Sequence, residues 1–238
     1  MAQTTALSAD DWRRLLAGPA PAAAAALGAA ARAGAAQAQV LYGQCLLDGH
    51  GLPADHRAAL GWFHAAAKAG RADAMNMVGR CLEQGWGAPA DAALAAPWYR
   101  AAAQRGSDWG MYNLATLLAL GRGVAQDRAA ALDWFRRAAA LGHAKSMTMI
   151  GSFYEDGWAV PHDKALAAHH YARGAEGGDF RGAFNHARLL LAAGRAAEAA
   201  RWFERAHADG NPRFRAQMAA WLAQQPAPGA PAPGAPAA

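Results

Sequence analysis

The 238-residue sequence has only two cysteines, Cys45 and Cys81, which rules out a disulfide scaffold. They stand at the same register of neighbouring repeat copies, about one repeat spacing apart, too far for an easy bridge. Both are expected to be buried thiols in a cytoplasmic protein. Charged residues make up only 17% of the chain, and no Lys/Arg run exceeds two residues. A basic stripe for nucleic acid is therefore missing, despite a formal net charge of +5. No segment has the roughly 18 uninterrupted apolar residues that a membrane span needs. The opening MAQTTALSADDWRRLL lacks a cationic start followed by an apolar run, so no signal peptide is expected.

Catalytic patterns are missing as well. There is no HExxH, no GxSxG and no glycine-rich loop ahead of a Lys-Ser/Thr pair. Of nine histidines, His169 and His170 are adjacent. On a helix their side chains would diverge by about 100°, which is wrong for shared ligation. His170 falls in an aromatic series and is expected to pack in place of a tryptophan. Cys81 and His50 lack an orienting third group. The expectation is a protein without catalytic activity, metal or cofactor.

What the sequence does have is a repeated sentence. LGWFHAAAKAG, APWYRAAAQRG and ALDWFRRAAALG return every 36 residues, and Gly34, Gly70, Gly106, Gly142 and Gly178 keep that period. Gly43, Gly79, Ala115, Gly151 and Ala187 form a second series, and Gly49, Gly85, Gly121 and Gly157 a third. Aromatic pairs follow: Trp62-Phe63, Trp98-Tyr99, Trp134-Phe135, His170-Tyr171 and Trp202-Phe203. A period of this length indicates a solenoid.

Each copy reads as a short helix A, a turn such as HGLPAD or WGAPAD, and a helix B that opens near Asp55, Asp91, Asp127 or Asp163 and ends at a glycine. The small residue inside helix A costs about 1 kcal/mol of helix propensity when it is glycine. Its return in every copy points to close packing against the facing helix. Neither helix buries its apolar face alone, whereas stacked hairpins do. The predicted fold is therefore all-α, a right-handed αα superhelix. Capping helices are expected over residues 1–33, with Ser8 and Asp11 ahead of Trp12 and a partial helix B around 21–33. Five repeats follow at about 34–69, 70–105, 106–141, 142–177 and 178–210. Asn211-Pro212 opens a last helix over 211–225, and the Pro/Ala/Gly tail 226–238 is expected to be disordered.

GSFYEDGWAVPHDKALAAHHYARGAEGG and its sister copies resemble the Sel-like repeat, a relative of the tetratricopeptide repeat, over roughly residues 34–210. Ala115, Ala187, His170 and Ala159 depart from the pattern at single positions. The resemblance implies an adaptor or scaffold that binds other proteins on its curved face. NMVGRCLEQGWG, SDWGMYNLATLL and HAKSMTMIGSFYEDGW are also similar to small cytosolic members encoded beside bacterial iron-siderophore receptors. This second resemblance implies an alternative: a regulatory module for a small ligand or for iron uptake.

If helix A lines the concave face, Gln44, Asn76, Arg80, Trp109, Tyr112, Lys145, Phe184 and Arg188 lie on or near it. Trp109 and Tyr112 stand out because other copies carry mostly polar or smaller residues there. Exposed aromatics beside arginine suit a protein-binding hot spot, and Arg80, Lys145 and Arg188 suit carboxylates on a peptide. The same residues also suit packing between repeats and ordinary solvation. Asn113 and Asn185, at equivalent positions, fit a peptide backbone, a loop carbonyl of the adjacent repeat, or unspecific polar filling. The expected partner is a protein or peptide, with the chain monomeric or homodimeric.

Overall fold

A computed structural model describes residues 19–225. Among them the chain forms twelve helices and no strand. These are α1 (Ala20–Arg32), α2 (Ala36–Asp48), α3 (His56–Lys68), α4 (Ala72–Gln84), α5 (Ala92–Gln104) and α6 (Asp108–Leu120). They continue as α7 (Arg128–Ala140), α8 (Ala144–Asp156), α9 (Lys164–Glu176), α10 (Phe180–Ala192), α11 (Ala196–Asp209) and α12 (Pro212–Leu222). The even helices from α2 to α10 start 36 residues apart, and so do the odd ones from α1 to α9. From α1 to α11 each helix packs on the next, and α4 also meets α6, and α8 meets α10. This is a solenoid of hairpins, with even helices in the helix A role and odd helices in the helix B role. The capping pattern at Ser8, Asp11 and Trp12 and the tail 226–238 lie outside the described residues.

Local chemistry sets the helix ends. The Asp55 carboxylate accepts from the Ala58 amide at 2.9 Å, and Asp91, Asp127 and Asp163 cap α5, α7 and α9 in the same way. Such a cap contributes about 1 kcal/mol. The last hairpin departs from the rule. Its second helix starts four residues early, at 196 rather than 200, and Arg195 stands at the N-cap with no side-chain cap. Arg195 instead grips Glu198 at 2.7 and 2.6 Å. Asn211 caps α12 through the Phe214 amide at 2.9 Å.

In four of the five aromatic pairs the second member is the core residue, whereas Trp202 and Phe203 are both half-buried. Phe63, Tyr99, Phe135 and Tyr171 are buried, while Trp62, Trp98, Trp134 and His170 are half-buried. The buried ring explains the small residue within helix A. A Cβ at Gly79 would stand 2.6 Å from the Tyr99 ring, and one at Gly151 would stand 2.6 Å from Tyr171. His170 stacks on Tyr154 with centroids 5.6 Å apart.

Hairpins alternate in the chemistry of this core. Tyr99 donates its hydroxyl to Glu83 at 2.7 Å, and Tyr171 donates to Glu155 at 2.7 Å. Where the ring is Phe63 or Phe135, the position of the glutamate holds Leu47 or Ala119. Each half-buried carboxylate is matched by a cation from the next hairpin, Arg122 to Glu83 at 3.1 Å and Arg188 to Glu155 at 2.6 Å. Burial alone would raise the Glu155 carboxyl, but hydrogen bonds from Arg188 and Tyr171 outweigh it and hold the group below its ordinary range.

The loops after the even helices pass close to the preceding hairpin. Gly87 and Gly123 have φ of +80° and +69°, and a Cβ at either would strike backbone of the odd helix before it. Ala159 occupies the same register with φ of +58°, in the left-handed region that strains an L side chain. Ala159→Gly should therefore raise stability by about 0.5–1 kcal/mol, relief of strain outweighing glycine's extra unfolded entropy. Urea denaturation followed by circular dichroism measures this, and an unchanged or lower midpoint would refute it.

The cysteines differ from expectation in one respect. Cys81 is buried, as expected, but Cys45 is half-exposed. It sits on α2, and among the described residues only α1 stacks before that helix. Both are free thiols. Burial pushes Cys81 up to about 11, and burial with Asp48 nearby raises Cys45 as well. Neither environment activates a nucleophile.

Candidate binding groove

The face built by the even helices carries the candidate residues. At the second position of successive even helices stand Asp73, Trp109, Lys145 and Arg181. Ser107 caps α6 through the Gly110 amide at 3.0 Å, which fixes the turn from which Trp109 projects. Trp109 is 44% exposed. The Lys145 ammonium lies 4.8 Å from the centre of its ring, and His143 meets it edge-on at 4.7 Å. Tyr112 packs 5.0 Å from His143 and 5.8 Å from Phe135, so the groove aromatics stand directly on the core. Burial is the main cause that pushes the Tyr112 phenol up, and it remains a neutral hydroxyl.

The other candidates lie in different surroundings. Arg80 rests on Trp86 with its guanidinium 5.3 Å from the ring centre. Among the described residues it pairs with no carboxylate. Gln44 donates to Asp48 at 2.7 Å. Asn76 is buried and accepts from the Asn113 amide at 2.8 Å, which joins adjacent even helices side chain to side chain rather than through a loop carbonyl. Phe184 belongs to an aromatic cluster with Phe203, Phe214 and Trp221, closed over by α12. Arg188 already holds a carboxylate, that of Glu155. Trp109, Tyr112 and Lys145 thus form one cluster. Arg80 lies one hairpin earlier, and Gln44, Phe184 and Arg188 are engaged internally elsewhere.

The centre of the cluster is His143, which motif reasoning passed over. It is 6% exposed and caps α8, its Nδ1 accepting from the Ser146 amide at 3.2 Å and lying 2.9 Å from the Ser146 hydroxyl. Its Nε2 is buried with no hydrogen-bond partner. Burial is the first cause that lowers its pKa, with Lys145 adding to it and Asp108 and Asp179 opposing. The signal for this role lay in the register: Arg71, Ser107, His143 and Asp179 occupy the N-cap of successive even helices. Among the described residues no three His, Cys, Asp or Glu side chains converge as a metal site, and no helix is long and apolar enough to cross a membrane.

The Sel1 repeat pattern matches residues 36–70, 72–107, 110–143, 144–179 and 196–211. A Sel1 repeat protein from Oxalobacter formigenes superposes with a TM-score of 0.71 at 27% identity, over 79% of this chain and 79% of that one. The protective antigen c5321 of uropathogenic Escherichia coli, which displays the same repeat fold, gives 0.68 at 24% identity over 87% of this chain and 45% of its own. A Sel1 repeat protein from Klebsiella pneumoniae gives 0.59 at 18% identity over 83% of this chain and 98% of its own. No curated protein matches the sequence. Sel1 repeats commonly mediate contacts between proteins. With the repeat matched along most of its length and its helices stacked as successive hairpins, the chain belongs to the Sel1 repeat family.

Proposed function

We propose that the protein is a non-catalytic adaptor that binds a protein or peptide segment in the concave groove of its repeats, anchored on Trp109. The observation that carries this reading is a large aromatic, 44% exposed, held upright by Lys145 and His143 on the even-helix face. A rigid aromatic with a cation beside it offers apolar area at small entropic cost, the makings of a hot spot. Arg80, one hairpin earlier, adds a cation for a carboxylate on the same segment. The space beneath the aromatics is filled by Phe135 and His143, which favours an open groove over a deep small-ligand pocket. The iron-uptake alternative rests on resemblance alone.

The test is capture of partners from native lysate by the wild type and by a Trp109→Ala/Arg80→Glu variant of unchanged helicity. A truncated hot spot costs about 2 kcal/mol or more, so retention should fall at least roughly thirtyfold. Equal capture by both proteins would move the binding surface away from Trp109.

A further inference from the structure

Even helices begin on different N-cap residues, and only one of those residues changes charge near neutral pH. Ser107 and Asp179 cap α6 and α10 with oxygens. His143 caps α8 with a ring nitrogen. A nitrogen accepts the Ser146 amide only while it is unprotonated, so the neutral ring carries its hydrogen on Nε2. A proton arriving at Nδ1 removes that side-chain acceptor and leaves the Ser146 amide with only the His143 backbone carbonyl, at 3.1 Å. It also puts a positive charge at the positive end of the α8 dipole.

The groups around the ring supply a second arrangement. Asp108 from α6 and Asp179 at the head of α10 attract an imidazolium, while Lys145 on α8 repels it and the Tyr112 phenol stays neutral. Asp179 is 5% exposed, and its carboxylate holds the Arg181 amide only at 3.4 Å, which leaves it acceptor capacity. The same ring touches Trp109 at 4.7 Å and Tyr112 at 5.0 Å, so it cannot turn without moving the groove aromatics.

We infer that His143 is a proton-operated latch: above its transition it caps α8 and props up Trp109, and below it the imidazolium turns toward Asp179 and Asp108 and displaces the Trp109–Lys145 pair. The inference takes the importance of Trp109 from the proposed function, but its test needs no partner. A failed latch and a failed adaptor reading are therefore told apart.

The test is heteronuclear NMR of the full chain between about pH 4.5 and pH 8. The expected result is that the Ser146 amide, the Trp109 indole N–H and the His143 ring titrate together, with one midpoint below the ordinary 6.5 of histidine. Since the folded pKa is depressed, the unfolded chain binds more protons as the pH falls below 6.5. The melting temperature should therefore drop on acidification through that window. His143→Ser, which installs the cap that α6 uses, should keep the fold, flatten both reporters and lessen the drop. Asp179→Asn retains a side-chain cap for α10 and should move the midpoint to lower pH, since a carboxylate that favours the imidazolium is gone. A Trp109 indole that stays flat while His143 titrates overturns the latch, as does a titration that persists in His143→Ser. If His143→Ser does not fold, the coincidence of midpoints in the wild type and their shift in Asp179→Asn decide the matter.

Discussion

Gly123→Val should destabilise the protein by about 4 kcal/mol, as measured by urea denaturation with circular dichroism. The residue is exposed, and a count of buried area would pass it over. Its Cβ direction nonetheless points into backbone: an added atom would stand 2.4 Å from both the Ala92 carbonyl carbon and the Ala93 nitrogen. Backbone at the head of a capped helix cannot turn aside as a flexible side chain would. The φ of +69° adds its own penalty, of about 1–2 kcal/mol for an L residue and more for a β-branched one. Clash and strain therefore fall on the same two hairpins. A loss below about 1 kcal/mol would mean that the loop lifts off α5 freely and that the two hairpins are not tightly stacked there.

Phe135→Ala should cost a similar amount, about 4 kcal/mol. The ring is fully buried, lies 5.8 Å from Phe153 and 5.8 Å from Tyr112, and joins two hairpins rather than filling one. In a repeat protein stability is a sum of unit and neighbour terms, so a cavity at a central junction weakens the coupling between the halves. Unfolding should broaden, and hydrogen exchange should show the two ends opening at different denaturant concentrations. The companion Trp134→Ala makes the contrast, because that side chain is half-buried and laid against Arg137. A sharp single transition in Phe135→Ala with a loss under about 2 kcal/mol would place the core elsewhere.

The hairpin plan was legible because stacking forces the same solution in every copy. Identical neighbours demand identical spacing, and the glycines, aspartates and aromatic pairs write that demand into the chain. Relations across hairpins were not legible in the same way. Nothing within one copy tells which ring of Trp134-Phe135 turns inward, since both are large and apolar. Nor does a copy show that Gly123 must clear Ala92, 31 residues earlier, when the local reading makes it only a turn glycine. Arg80, Lys145 and Arg188 look alike in sequence, yet Arg188 is taken up by Glu155 from the hairpin before it and Lys145 lies over Trp109. His143 was the least visible of all. Histidine is an uncommon N-cap, and its part emerges only when the residues heading successive even helices are set side by side.

The alternation of Tyr–Glu hairpins with Phe hairpins bears on how such a chain can change its length. Glu83 and Tyr99 recur as Glu155 and Tyr171, two hairpins later. Excising one hairpin, residues 108–143, would bring Ser152 and Trp158 to the places from which Arg188 and Arg122 reach their glutamates, and Glu83 would lose its cation. Excising two, residues 108–179, would bring Arg188 to Glu83 in the relation it now has with Glu155. The electrostatic increment of this solenoid is thus twice its structural one: backbone stacking allows gain or loss by single hairpins, whereas the paired carboxylates allow it by pairs.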